Sequence, residues 1–193
     1  MKPQIPKRYQ SLYKETARLR VMSVLWRFPE REFSLSDLAR EAKVAKANIR
    51  EILEKLHDIG FIQITKLATL WRIKANQQNG YFIKGKIVHN LDVIYESGLV
   101  EFLNDYYKNP KSIILFGSFR NGQDISTSDI DIAIEMDELK EYTITGLREL
   151  SETEKQMSRK IQLHLFNRKN IENHLFNSIA NGIVLLGFLE VKS

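Results

Sequence analysis

Apolar positions at the front of the chain keep a helical period. Leu12, Leu19, Met22, Leu25 and Trp26 recur at that spacing, and Pro29 marks an end. Ser34 or Ser36 then caps a short helix over Asp37–Ala42, followed by a tight turn at Lys43-Val44. A second helix is predicted from Lys46 to Asp58, with Ile49, Ile52, Leu53, Leu56 and Ile59 on its apolar face and Gly60 as a left-handed stop. Two strand-like runs follow, Phe61–Thr65 and Leu70–Lys74. The polar stretch Asn76 to Gly80 predicts a boundary, giving domains over 1–80 and 81–193.

Beyond that boundary Ile87, Leu91, Ile94, Tyr95, Phe102, Leu103 and Tyr106 share one helical face. They predict one long or slightly broken helix from Lys86 to Lys108, weak at Gly98 and packed on a sheet. His89 reads as a surface or boundary residue, His174 as an exposed one. Ser112–Phe116 is a short buried strand running into Gly117-Ser118, and a polar loop is expected from Phe119 to Thr127. In Ser128-Asp129-Ile130-Asp131-Ile132-Ala133-Ile134-Glu135 the alternation puts both aspartates on one strand face and the isoleucines on the other. An amphipathic helix over Thr145–Arg159, a strand over Ile161–Phe166, a helix over Ile171–Ala180 and a final apolar run complete the prediction.

Charge changes the picture. The net +5 hides an asymmetry: residues 1–80 hold sixteen Lys/Arg against eight Asp/Glu, and residues 81–193 hold thirteen against sixteen. A basic front half suits an anionic partner such as nucleic acid, although a solvated basic surface reads the same way. Cysteine is absent, which excludes disulfides, thiolate metal sites and cysteine nucleophiles. No apolar run approaches the roughly 18 residues of a membrane span, and MKPQIPKRYQ lacks the apolar core of a secretory signal. A cytoplasmic location without membrane contact is expected.

The run SLSDLAREAKVAKANIREILEKLHDIGFIQ resembles winged helix-turn-helix domains, with Ala39 and Val44 as the small contacts between the two helices. The resemblance covers residues 10–75 and implies duplex DNA as a partner. Lys46, Asn48, Arg50 and Lys55 would line the major groove, with Glu51 also outward, and Lys66 and Arg72, with Lys74, would reach from the wing. A protein-interaction module is the alternative. Trp71 reads as a hairpin core residue rather than a stacking platform.

Two carboxylates on one strand face suit a hard divalent cation such as Mg2+, and a Gly-Ser turn on a neighbouring strand lets phosphate oxygens approach backbone amides. The run ILFGSFRNGQDISTSDIDIAIE resembles the signature of the DNA polymerase β-like nucleotidyltransferase superfamily, nearest its minimal members. The resemblance implies that Gly117 and Ser118, with Ser128 beside them, bind a nucleoside triphosphate and that Asp129 and Asp131 bind Mg2+. The family's Ala-Arg-Gly is Arg120-Asn121-Gly122 here, with the basic residue shifted by one. Its third carboxylate should lie on Ile161–Phe166, where this chain offers only Gln162 or His164. Glu135 is no substitute, being four residues past Asp131, roughly 13 Å along a strand. His164 is therefore either a catalytic base for the acceptor or a satisfied polar residue of the sheet.

The expected fold class is α+β: an N-terminal winged helix-turn-helix plus a C-terminal α/β nucleotidyltransferase domain with a small mixed sheet. The expected function is transfer of a nucleoside monophosphate from a Mg2+-bound nucleoside triphosphate to an acceptor hydroxyl, on a small molecule or a partner protein. Two others stay open: a DNA-binding regulator that binds nucleotide without efficient turnover, and the antidote of a toxin–antidote pair. A homodimer is compatible with each.

Overall fold

A computed structural model describes residues 16–67 and 70–191, so Leu12 lies outside the described residues. These residues divide into two compact units, one ending at His89 and one starting at Asn90. The chain is of mixed α+β class.

The first unit opens with α1 (Ala17–Arg27), capped by Thr16, whose side chain accepts the amide of Leu19. A three-residue strand β1 (Glu32–Ser34) leads into α2 (Leu35–Glu41). The cap of α2 is Ser34, not Ser36: its Oγ accepts the amide of Asp37 at 3.1 Å and is worth about 1 kcal/mol. The turn places Lys43 at positive φ and sends the Val44 amide back to the Ala39 carbonyl. Ala39 and Val44 are both buried where α2 and α3 (Lys46–Asp58) meet. Gly60 is left-handed, as its position predicts.

The strands β2 (Ile62–Leu67) and β3 (Leu70–Ala75) form an antiparallel hairpin, and β1 joins it in the order β1-β3-β2. Ile49, Leu53 and Leu56 are buried with Val21, Leu25, Phe33, Leu38 and Ile73. Each such side chain contributes about 1.5–3 kcal/mol. Ile59 is half exposed instead, as the residue just past the end of α3.

The helix expected from Lys86 to Lys108 starts earlier and is broken at its expected weak point into two. α4 (Gly80–Glu96) and α5 (Leu99–Tyr106) are separated by Ser97-Gly98, with Gly98 at positive φ. Up to His89, α4 belongs to the first unit. There His89, the last residue of the unit, is partly buried. Its ring stacks on Trp26 at 5.1 Å, and burial, with Lys86 nearby, holds its pKa down at about 4.

The second unit is built on a five-stranded mixed sheet in the order β6-β7-β5-β4-β8. The strands are β4 (Ser112–Phe116), β5 (Ile130–Glu135), β6 (Thr143–Thr145), β7 (Ile161–Phe166) and β8 (Ile183–Gly187). Only β5 and β7 run parallel; the other pairs are antiparallel. On one face Ile94, Leu99, Phe102 and Leu103 cover Ile113, Leu115, Ile130, Ile132 and Ile134. The opposite face packs Ile114, Phe116, Ala133 and Phe166 against Ile179 of α8 (Asn173–Ala180). The helix expected over Thr145–Arg159 is shorter: β6, a 3-10 turn and then α7 (Ser151–Met157). Among the described residues no helix is long and apolar enough to cross a membrane.

Candidate nucleotide site

The site begins where β4 ends. Gly117 opens a short helix, α6 (Gly117–Asn121), so Phe119–Asn121 of the expected loop are helical and the loop itself starts at Gly122. Phe119 is buried within it. Gly117 has φ near +71°, and a Cβ there would overlap Asp131 Oδ2 and lie 3.2 Å from Asp131 Cγ. Glycine is thus required twice over, by backbone conformation and by room for the neighbouring carboxylate. Register explains the meeting, because Phe116 is paired with Asp131 across β4 and β5.

The loop from Gln123 to Asp129 is tied down by groups that sequence reading passed over. Asn90 Nδ2 donates to the Phe119 carbonyl at 2.7 Å and to Asp124 Oδ1 at 2.9 Å. Asp124 is fully buried and faces the Arg159 guanidinium at 3.7 Å. Arg159 in turn donates to the Ser126 carbonyl. Ser128, expected beside the phosphates, uses its Oγ to accept the Ile125 amide at 2.9 Å, which closes the turn before Asp129. No spacing rule announces this set, because Asn90, Asp124 and Arg159 come from three separate segments of the chain.

Asp129 and Asp131 lie on one face, and β7 presents Gln162 and His164 to them. Gln162 Nε2 donates to Asp129 Oδ2, and His164 Nε2 lies 3.3 Å from Asp131 Oδ1. The two positions expected to carry a third carboxylate therefore do face the aspartates, but as amide and imidazole. His164 is buried, with its ring edge-on to Phe116 at 4.8 Å and its Nδ1 2.6 Å from the Tyr142 hydroxyl. Tyr142 was not among the predicted residues; it precedes β6, a strand the sequence pattern did not reveal. Burial and the charge of Asp131 push its phenol above the usual range. Glu135 points elsewhere, accepting from Ser112 Oγ and Arg168.

A cleft of about 370 Å³ beside Gly117 is lined by Phe116, Arg120, Asn121, Asn177, Ser178 and Asn181. Arg120 is bonded to the Asn181 carbonyl, tying α6 to the end of α8. Ser118 is half-buried in α6. Among the described residues no group of three or more His, Asp and Glu side chains is arranged to hold a metal ion.

The remaining predicted residues lie in the first unit. Lys46, Asn48, Arg50 and Lys55 are exposed on α3, Lys66 on β2 and Arg72 on β3. Two of them form ion pairs within the chain: Lys55 with Glu51 at 2.6 Å and Arg72 with Glu32 at 3.3 Å. Trp71 is half-buried against the core, and it also carries Arg50 at 5.2 Å and Lys66 at 4.8 Å from its ring centre.

Residues 98–187 match the family model described as Polymerase beta, Nucleotidyltransferase. The match runs from the start of α5 to the end of β8 and so includes every strand of the second sheet and the whole Gly117–Asp131–His164 cluster. It supports the nucleotidyltransferase superfamily for this unit. No curated protein and no solved structure matches the chain.

Proposed function

We propose that the second unit binds a Mg2+-complexed nucleoside triphosphate and transfers its nucleoside monophosphate to an acceptor hydroxyl, on a small molecule or a partner protein. The observation that carries this is the pair of same-face carboxylates, each held by one oxygen, beside a glycine at the start of a helical turn. Asp129 Oδ1 and Asp131 Oδ2 are the oxygens that would hold the cation, and hard oxygen donors fit Mg2+. When bound, the ion neutralises phosphate charge and polarises the reacting phosphoryl group. The chain's own part is to fix the carboxylates through Gln162 and His164 and to offer the amides of Gly117 and Ser118 to phosphate oxygens. Calorimetry with the four common triphosphates, with and without Mg2+, tests this. Asp129→Ala with Asp131→Ala should abolish the metal dependence, and unchanged metal-dependent binding by that variant would sink the assignment.

For the first unit the proposal is a winged helix that binds duplex DNA through α3 and the hairpin. Its support is the element order, the basic balance of residues 1–80 and the exposed Lys46, Asn48, Arg50 and Lys66. A second reading of the whole chain is a DNA-binding regulator that holds nucleotide without efficient turnover. It is favoured by Gln162 and His164 standing where a third carboxylate was expected. Metal-dependent binding without release of pyrophosphate would select it.

A further inference from the structure

We propose that His164 and Tyr142 are positioning residues that lock the Asp131 carboxylate for metal binding, and that His164 is not a general base. The inference rests on the metal assignment of Asp131 made above.

The hydrogen-bond polarity follows from chemistry. A carboxylate that ligates a cation carries no proton and can only accept. The imidazole nitrogen beside it, Nε2, must then be the N–H. A neutral imidazole with Nε2–H has Nδ1 as an acceptor, so the Tyr142 hydroxyl donates to it at 2.6 Å. Both ring nitrogens are occupied. The hydroxyl within reach of Nδ1 belongs to Tyr142, and the buried ring is wedged against Phe116. An incoming acceptor hydroxyl would have to displace one of these bonds before His164 could take its proton.

The same chain of bonds has a clear use. His164 holds Asp131 Oδ1, while Oδ2 sits over the bare Cα of Gly117. One carboxylate oxygen is thereby anchored and the other is aimed at the glycine turn. Tyr142 fixes the ring that does the anchoring. Hydrogen-bonded partners of metal ligands commonly act this way, and losing one typically costs about 10–100-fold in metal affinity.

The test uses the full chain, with Mn2+ and a nucleoside triphosphate in calorimetry and turnover measured alongside. His164→Phe should weaken metal-dependent nucleotide binding about tenfold or more, and Tyr142→Phe about tenfold. His164→Gln, whose amide can place an N–H near the position of Nε2, should recover binding to within about threefold of wild type. Wild-type affinity in both Phe variants overturns the proposal. So does a His164→Gln variant that binds metal and nucleotide normally yet loses turnover, since that pattern marks a base. Histidine ¹⁵N NMR of the metal-free chain reads the lock without metal or activity. An Nε2–H tautomer for His164 that becomes mixed in Asp131→Ala supports it, and an Nδ1–H tautomer overturns it. Should wild type show no metal-dependent nucleotide binding, the metal assignment fails while the tautomer measurement still decides the hydrogen-bond chain.

Discussion

Asp131 Oδ2 occupies the space into which a Cβ on residue 117 would project, so the Asp131 carboxylate and the glycine turn are one steric unit. The two residues meet because Phe116 and Asp131 are register partners and the chain turns helical immediately after Phe116.

Gly117→Ala should therefore damage site and stability together. The left-handed conformation alone costs a residue with Cβ about 1–2 kcal/mol. The overlap must be relieved by moving Asp131, which pulls its other oxygen from His164. The expected outcome is loss of metal-dependent nucleotide binding in calorimetry, with a denaturation midpoint lowered by at least the conformational cost. A variant with wild-type affinity would show that the carboxylate need not sit where it does.

Asp124→Ala should be among the most destabilising single changes in the second unit. It removes the partner of a buried guanidinium and of Asn90 Nδ2. Breaking one side of a buried pair costs about 3–5 kcal/mol. Because the same loop delivers Asp129, binding should fall even where the protein stays folded. Urea denaturation followed by circular dichroism measures the first effect and calorimetry the second.

His89 makes the first unit sensitive to acid. Its folded pKa of about 4 lies below the ordinary 6.5. The unfolded chain thus binds the extra proton first, and stability is lost as pH falls from about 6.5 towards 4, then levels off. The full shift corresponds to on the order of 3 kcal/mol. His89→Phe keeps a ring on Trp26 without a titrating group. Its stability should vary less than wild type across that interval, as denaturant titrations at several pH values would reveal.

DNA binding by the first unit should be strongly salt-dependent, because counterions are released from phosphates. Charge reversal at Lys46 or Arg50 should weaken it. Lys55 and Arg72 are already paired with Glu51 and Glu32, so their removal should matter less. Trp71→Ala should also weaken binding by releasing Arg50 and Lys66 from its ring faces. Gel shifts of the full chain at two salt concentrations would check the order. Binding that ignores salt would make the unit a protein-interaction module.

How much of this was legible in the sequence depended on range. The helices and hairpin of the first unit follow from local periodicity and capping, and Gly60 fell where an α3 stop was needed. The Gly-Ser turn and the Asp-x-Asp strand were legible because side-chain alternation is a local property. Partners across the fold were not. Nothing in the spacing says that Tyr142, in front of a three-residue strand, returns to His164, or that Asn90 reaches Asp124. The break at Ser97-Gly98 was legible only as a weak point at the glycine, since the apolar period continues across it; that Ser97 Oγ would take the Leu99 amide and start a second helix was not.

The sharpest remaining test concerns the carboxylate that β7 lacks. If His164 is occupied in holding Asp131, the vacated position is Gln162, which faces Asp129 and is paired in register with Asp131. Gln162→Asp then places three carboxylates together. Without metal they repel, so the variant should melt lower than wild type; with Mg2+ the new ligand should make the ion's stabilising shift larger, because binding to the folded state alone raises stability. Turnover with Mg2+ should rise at least about tenfold, up to the roughly 10²–10⁴-fold worth of base assistance. His164→Asp should do the reverse, since it sets a second negative charge against Asp131 and removes the N–H that anchors it. Thermal melts with and without Mg2+, beside a pyrophosphate-release assay, distinguish the two. Were His164→Asp the more active variant, the vacated position would be 164 and the locking role of the histidine would fall with it.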